Sequence, residues 1–195
     1  MRKNLLFLSF IALTAVLSCG QIFAQGHKGK IRLVTKEVSL GMADPGIIDT
    51  SLMVSPDSRR LAYLAQHGDK WLVVVDGQEG KEYDGIGALL FSPDGQRVAY
   101  GAQHGAKWLV VVEGQEGKKY DGISEGTPLF SGDSRRVAYG AQIGAKWLVV
   151  VDGQYGKIYD FFLRGSRLIF DSSNALHNLS AWHNEFFRVE ISVEE

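Results

Sequence analysis

The stretch WLVVVDGQEGKEYDGI, from Trp71 to Ile86, returns as WLVVVEGQEGKKYDGI from Trp108 to Ile123 and as WLVVVDGQYGKIYDFF from Trp147 to Phe162. The second version agrees with the first at 14 of 16 positions and the third at 12 of 16. The tryptophans are 37 and then 39 residues apart. A period of this size marks an array in which each unit is one supersecondary module that needs its neighbours to bury its faces. A residue present in every copy is therefore read first as architectural. One active site does not need three copies of itself.

Working outward from Trp108, each unit reads as four short strands. Ala88–Phe91 is apolar, and Ser92-Pro93-Asp94-Gly95 is a turn in which Pro presets φ and Gly tolerates φ > 0. Arg97–Ala102 is a second strand, His104–Lys107 a second turn, and Trp108–Val112 a third strand rich in β-branched residues. A Gly-containing turn and a short strand ending at Tyr120 complete the unit. In Trp71-Leu72-Val73-Val74-Val75 no polar residue alternates with the apolar ones. Successive side chains of a strand point to opposite faces, so both faces of this sheet must be covered. Radial stacking of four-stranded blades does this. The expectation is an all-β fold, a small β-propeller of about four blades.

The blades are expected at about 48–86, 87–123, 124–160 and 161–195. The last is degenerate: Arg167–Phe170, Leu176–Ser180 and Glu185–Ser192 match the first three strands, and no YDG strand follows. Lys30–Lys36 reads as an orphan strand in an N-terminal segment, 25–47, and is expected to complete the last blade and close the ring. The alternative is an open array that pairs with a second copy, leaving the chain a monomer or a homodimer.

The segments SPDSRRLAY (Ser55–Tyr63), SPDGQRVAY (Ser92–Tyr100) and SGDSRRVAY (Ser131–Tyr139) resemble the bacterial WD-repeat-like propeller repeat of the TolB type. The motifs following them resemble an uncharacterised exported subgroup built from the same unit. The resemblance covers about residues 48 to 192. It implies the propeller fold and is unspecific for function, because such repeats serve as a gating domain in peptidases and as a protein-docking surface in TolB. Neither a peptidase domain nor a TolB-like amino-terminal domain is read in these residues, so those activities are not expected to carry over.

The chain has 195 residues, 45% hydrophobic and 22% charged, with a net charge of −1 and no block of like charge. That balance suits a globular domain and gives no electrostatic footprint for nucleic acid. Residues 1–24 read as a signal peptide: Arg2 and Lys3, then a mostly apolar run from Leu5 to Leu17 that is short for a bilayer span. Ala24 offers an ordinary cleavage site. Val16-Leu17-Ser18-Cys19 resembles a lipobox in which Cys19 would be lipidated. Cys19 is the only cysteine, so cleavage after Ala24 leaves a chain without disulfides. Loss of Arg2 and Lys3 leaves 19 basic against 22 acidic residues, a net charge of −3. The expectation is an exported protein, periplasmic or extracellular, that meets a membrane only if lipidated at Cys19.

The repeated residues take architectural readings. Trp71, Trp108 and Trp147 are expected to pack between blades, and Tyr83, Tyr120 and Tyr159 to be packing or edge residues. Asp76-Gly77, Glu113-Gly114 and Asp152-Gly153 form hairpin turns. Arg60, Arg97 and Arg136 are expected to pair locally with Asp57, Asp94 and Asp133. His67 and His104 read as turn residues away from any shared point, so no metal is expected. No G-x-S-x-G elbow or P-loop is present, and the carboxylates mostly recur in the repeats so that no unique pair stands out; no cofactor and no catalytic residue is assigned. Function on a propeller belongs to loops, where the copies diverge. The candidates are Glu125 and Thr127 in a two-residue insertion, Tyr155 and Ile158 in place of charged residues, Phe161, Phe162 and Arg164 in the apolar link after the third unit, and Trp182 outside the repeat phase. The expected function is a non-enzymatic module binding a protein partner or scaffolding in the bacterial envelope. The alternative is a small-ligand or enzymatic propeller using its central channel.

Overall fold

The computed structural model describes residues 32–194. The chain divides into two units, Met1–Glu37 and Val38–Glu195. In the first, residues 32–37 are described; they carry no helix or strand and are exposed. The expected signal peptide, its cleavage site and Cys19 lie outside the described residues. Among the described residues no helix is long and apolar enough to cross a membrane.

The second unit consists of four antiparallel sheets in chain order, with one 3-10 turn at Asp49–Ser51 before them. The first sheet holds β1 (Met53–Val54), β2 (Leu61–His67), β3 (Lys70–Val75) and β4 (Gln78–Glu79). The second holds β5 (Gly85–Phe91), β6 (Val98–His104), β7 (Lys107–Val112) and β8 (Gln115–Glu116). The third holds β9 (Gly122–Ile123), β10 (Leu129–Phe130), β11 (Val137–Ile143), β12 (Lys146–Val151) and β13 (Gln154–Tyr159). The fourth holds β14 (Phe161–Phe162), β15 (Ile169–Ser172), β16 (Ala175–Trp182) and β17 (Glu185–Ser192). The first two are meanders; in the third and fourth the first edge is split, with β9 and β10 both pairing with β11, and β14 and β15 both pairing with β16. Successive sheets pack face to face through shared cores. This is the blade architecture of a β-propeller, with four blades.

The repeated WLVVV strand is buried on both faces, as its lack of alternation requires. Val73 packs with Phe91, Val98, Leu109 and Val111 between the first and second blades. Val110 packs with Phe130, Val137, Leu148 and Val150 between the second and third. Val149 and Val151 meet Leu176, Phe170 and Ile191 between the third and fourth. Leu72 and Val74 face the other way, with Tyr63, Ala65, Ile47 and Leu61. A strap from Val38 to Ile48 lies along this side: Ile47 bridges Ala65, the Gln66 N–H donates to the Gly46 carbonyl, and Asp44 N–H donates to the Tyr63 hydroxyl at 2.9 Å.

Two repeated devices tie each blade to the next, and both differ from the expected local Asp–Arg pair. The turn carboxylates stay local: Asp57, Asp94 and Asp133 each accept from the serine two residues before. The arginines reach across. Arg97 donates to the Ser134 and Arg135 carbonyls of the third blade at 2.9 and 2.7 Å while covering the Phe130 ring. Arg60 covers Phe91 and pairs with Asp76 at 2.8 Å, and Arg136 reaches Asn174 and Asp152. The guanidinium has enough donors to hold two carbonyls, which a short Asp across the hairpin would leave unused. The second device is the YD pair. Lys70, Lys107 and Lys146 pair with Asp84, Asp121 and Asp160, whose second oxygens accept from the Gly105, Gly144 and His183 N–H groups of the following hairpin. The lysines hold all three carboxyls below the usual carboxylate range.

The fourth blade corrects the expected closing strand. Lys30 and Ile31 lie outside the described residues, and Arg32–Lys36 form no strand. The sheet reaches four strands from within the tail: β14 and β15 both pair with β16 along one edge, and β17 takes the other. Its outer strand alternates in a way the WLVVV strands do not. Phe187, Val189 and Ile191 turn toward the third blade, while Phe186, Arg188 and Glu190 are exposed. Arg188 stands at the position of Val149, which the third blade buries against its successor. A charge there requires solvent, so the far face of this blade is solvated.

Candidate functional site

The structure opens a cleft of about 630 Å³ where the third blade meets the fourth, lined by Ser124–Gly126, Trp147 and Phe162–Leu168. The two-residue insertion builds one wall. After β9, the Thr127 N–H and hydroxyl both donate to the Ser124 carbonyl, and Gly126 takes φ = +74° between them. This tight turn lifts Glu125 into solvent and buries Thr127. Thr127 therefore shapes the loop and does not line the cleft.

The other wall is the link after β14. Leu163 N–H donates to Leu179, Ser166 N–H to Leu163, and the Ser166 hydroxyl accepts from Leu179 N–H. Gly165, at φ = +82°, supplies the left-handed residue of that turn. The turn leaves Arg164 and Arg167 exposed, with no ion pair among the described residues. Between the walls, the Phe162 ring lies 5.5 Å from Trp147. Phe162 fits only because residue 140 is glycine: a Cβ there would sit 2.5 Å from the Phe162 ring and 2.7 Å from Ser124 Cβ. The cleft thus combines an aromatic pair, two cations and one carboxylate.

Of the residues singled out in the sequence, Glu125, Phe162 and Arg164 come together here. Phe161 points to the opposite side of β14, half exposed. Trp182 lies elsewhere, stacked on His183 with Lys146 and Lys157 over its ring at 5.3 and 5.6 Å. Ile158 pairs with Leu148, and Tyr155, 55% exposed, carries Lys118 over its ring. Trp147, Ser166 and Arg167 were missed. Trp147 looked like its architectural copies, and the signal that separates it is the aromatic pair Phe161-Phe162 at the end of its own repeat, where the other copies have Gly-Ile.

A smaller cavity of about 300 Å³ lies between the first and second blades, lined by Arg60, Val73, Asp76, Glu79, Tyr100 and Glu113 among others. Those are repeat positions, so the cavity belongs to the architecture. The two repeat histidines have different surroundings. His67 ends β2 and contacts both oxygens of buried Asp44 at 3.1 Å, with Glu82 at 3.6 Å. Its pKa is raised, chiefly by the Asp44 hydrogen bond. His104 is exposed at the end of β6. Among the described residues no three His, Cys, Asp or Glu side chains gather closely enough to hold a metal ion.

No protein-family profile matches this chain, and no curated protein matches it. Solved propellers do resemble it. The propeller domain of the trilobed protease from Pyrococcus furiosus shares 12% identity at a TM-score of 0.45, over 73% of this chain and 58% of that one. TolB from Acinetobacter baumannii shares 12% identity at 0.45, over 74% of this chain and 43% of that one. The chain thus spans about half the length of the solved structures it matches. At such identities and TM-scores neither likeness carries an argument about activity.

Proposed function

We propose that this chain is an exported, non-enzymatic binding module of the bacterial envelope that takes a protein partner at the cleft between its third and fourth blades. The observation that carries the reading is the meeting of diverged residues: Glu125, Phe162 and Arg164 join Trp147 and Arg167 in one cleft. Aromatic residues and arginines are the side chains that most often dominate protein interfaces. Two cations against one carboxylate favour a segment that offers an acidic group beside an apolar one. Export, by the signal peptide or as a lipoprotein anchored through Cys19, belongs to the same proposal.

The test is a photo-reactive residue placed at Arg164 and, as a control, at His104, with crosslinking in intact cells. A discrete adduct at position 164, absent at 104, is expected. Arg167→Glu should lower its yield about tenfold through lost electrostatic complementarity. The same adducts at both positions, or none at 164, would sink the reading. A small anionic ligand is the second reading, because the volume falls within the range of about 300–1,000 Å³ usual for such sites. It predicts a saturable rise in melting temperature with the small molecule alone.

A further inference from the structure

The outer edge of β17 is the feature that neither the blade architecture nor the cleft uses. In the first three blades the third strand is covered by a fourth: Gln78–Glu79 and the Trp71–Tyr83 bridge in the first, their equivalents in the second, and β13 in the third. Among the described residues no strand covers β17, although it runs for eight residues from Glu185 to Ser192. A row of unpaired N–H and C=O groups of that length is a template for another strand.

Its pattern of hydrogen-bonding directions is fixed by the hairpin. His183 and Asn184 both have positive φ and form a two-residue turn, so the Trp182–Glu185 pair closes it. In such a hairpin Glu185, Phe187, Val189 and Ile191 turn their backbone groups toward β16, and Phe186, Arg188, Glu190 and Ser192 turn theirs outward. Any antiparallel partner must bond to these four. Three of them are demonstrably uncovered: Phe186 is 70% exposed, and the Arg188 and Glu190 side chains are 69% and 66% exposed.

We propose that β17 pairs with β17 of a second copy of this chain, antiparallel about a two-fold axis at Val189, joining the two fourth blades into one continuous sheet. The sequence selects that register. An axis at Arg188 sets arginine against arginine, and one at Glu190 sets glutamate against glutamate, which is unfavourable on a sheet face. An axis at Val189 sets Arg188 opposite the partner's Glu190 and Glu190 opposite the partner's Arg188. It also sets Phe187 opposite the partner's Ile191 on the face turned toward the third blade. Val189 lies near the strand's midpoint, so this register uses nearly the whole edge. Arg188 and Glu190 already pair within one copy, and in the dimer the four charges form one alternating cluster. A self-complementary patch of this kind is what a closed two-fold dimer requires.

The experiment is sedimentation velocity over a wide concentration range, with Arg188→Glu, Glu190→Arg and the double exchange Arg188→Glu/Glu190→Arg. The wild type should dimerise. Each single reversal should raise the dimer dissociation constant about tenfold or more, since two like-charge contacts replace two opposite ones. The double exchange should restore it, because each arginine again faces a glutamate, and that rescue separates pairing from damage to the fold. A chain monomeric throughout, or a dimer indifferent to the reversals, overturns the proposal. So does a monomer that dimerises only after residues 25–37 are deleted, since the chain's own segment would then hold the edge.

Discussion

At the residue scale, the repeat shows what each copy gains or loses at one position. Tyr83 is buried between the first two blades and donates to Glu116 of the second at 2.9 Å, where Lys81 also pairs with that carboxylate. One unit later the tyrosine is Tyr120 and the carboxylate position has become Tyr155. The lysine adapts, since Lys118 lies 4.7 Å from the centre of the Tyr155 ring. The hydroxyl does not: Tyr120 Oη is buried without a hydrogen-bond partner. A buried polar atom left unpaired costs about 1–3 kcal/mol, whereas a satisfied one contributes roughly 1 kcal/mol. The same substitution should therefore have opposite signs in the two copies. Tyr120→Phe should stabilise the protein by about 1 kcal/mol and Tyr83→Phe should destabilise it by about as much, read from urea unfolding midpoints. Equal losses in both would show that the Tyr120 hydroxyl has a partner. Tyr155 was visible in the sequence as a departure from its copies. Its consequence was not, because the residue it deprives lies 35 positions away in the chain, in the preceding blade.

At the element scale, the strap from Val38 to Ile48 does for the first blade what each later blade does for its predecessor. It covers the far face of β2 and β3, where Leu72 and Val74 would otherwise meet water. Its anchor is Asp44, which holds Gly46 N–H at 2.6 Å and both contacts to His67 while its own N–H reaches Tyr63. The groups that act on His67 are acidic, namely Asp44, Glu82 and, more remotely, Glu79, while Lys70, its neighbour across the hairpin, is paired with Asp84. They raise its pKa, so the folded chain binds the proton more tightly than the unfolded chain. That contribution is complete below the ordinary histidine value of about 6.5 and fades as pH rises through the raised folded value. His67→Gln should then cost more stability at about pH 6 than at about pH 9, with the difference confined to the strap in hydrogen exchange corrected for intrinsic rate. A penalty independent of pH would show that His67 is neutral throughout. The strap was not legible because it has no periodicity; its contacts are single side chains and backbone groups reaching across about twenty residues. The blades were legible for the opposite reason. An unbroken apolar strand such as Leu72–Val75 admits only a sheet covered on both faces, and that physical requirement repeats three times.

At the scale of the whole molecule, stability is a series of blade-to-blade junctions, and the junctions are not equal. The first two are near copies, each with a T-shaped tyrosine pair, Tyr83–Tyr100 and Tyr120–Tyr139. The third replaces the tyrosine pair with Trp147 against Phe162, fewer buried apolar side chains and the cleft. In a series stabilised by nearest neighbours, the weakest junction opens first. One repeat position tests this. Gly101 and Gly140 both follow the core tyrosine of the second strand, but a Cβ on Gly101 would meet nothing closer than Gly87 Cα at 3.9 Å. On Gly140 it would strike Phe162 at 2.5 Å and Ser124 at 2.7 Å. Gly101→Ala should leave unfolding single and cooperative, within about 0.5 kcal/mol of wild type. Gly140→Ala should force Phe162 from Trp147 and cost about 1–3 kcal/mol at the third junction alone. Hydrogen exchange should then rise across 161–194 while 61–151 stays protected, and the fourth blade should melt ahead of the rest. Uniform loss of protection across all four blades would mean that the molecule unfolds as one unit, and that the third junction is as strong as the others despite its cleft.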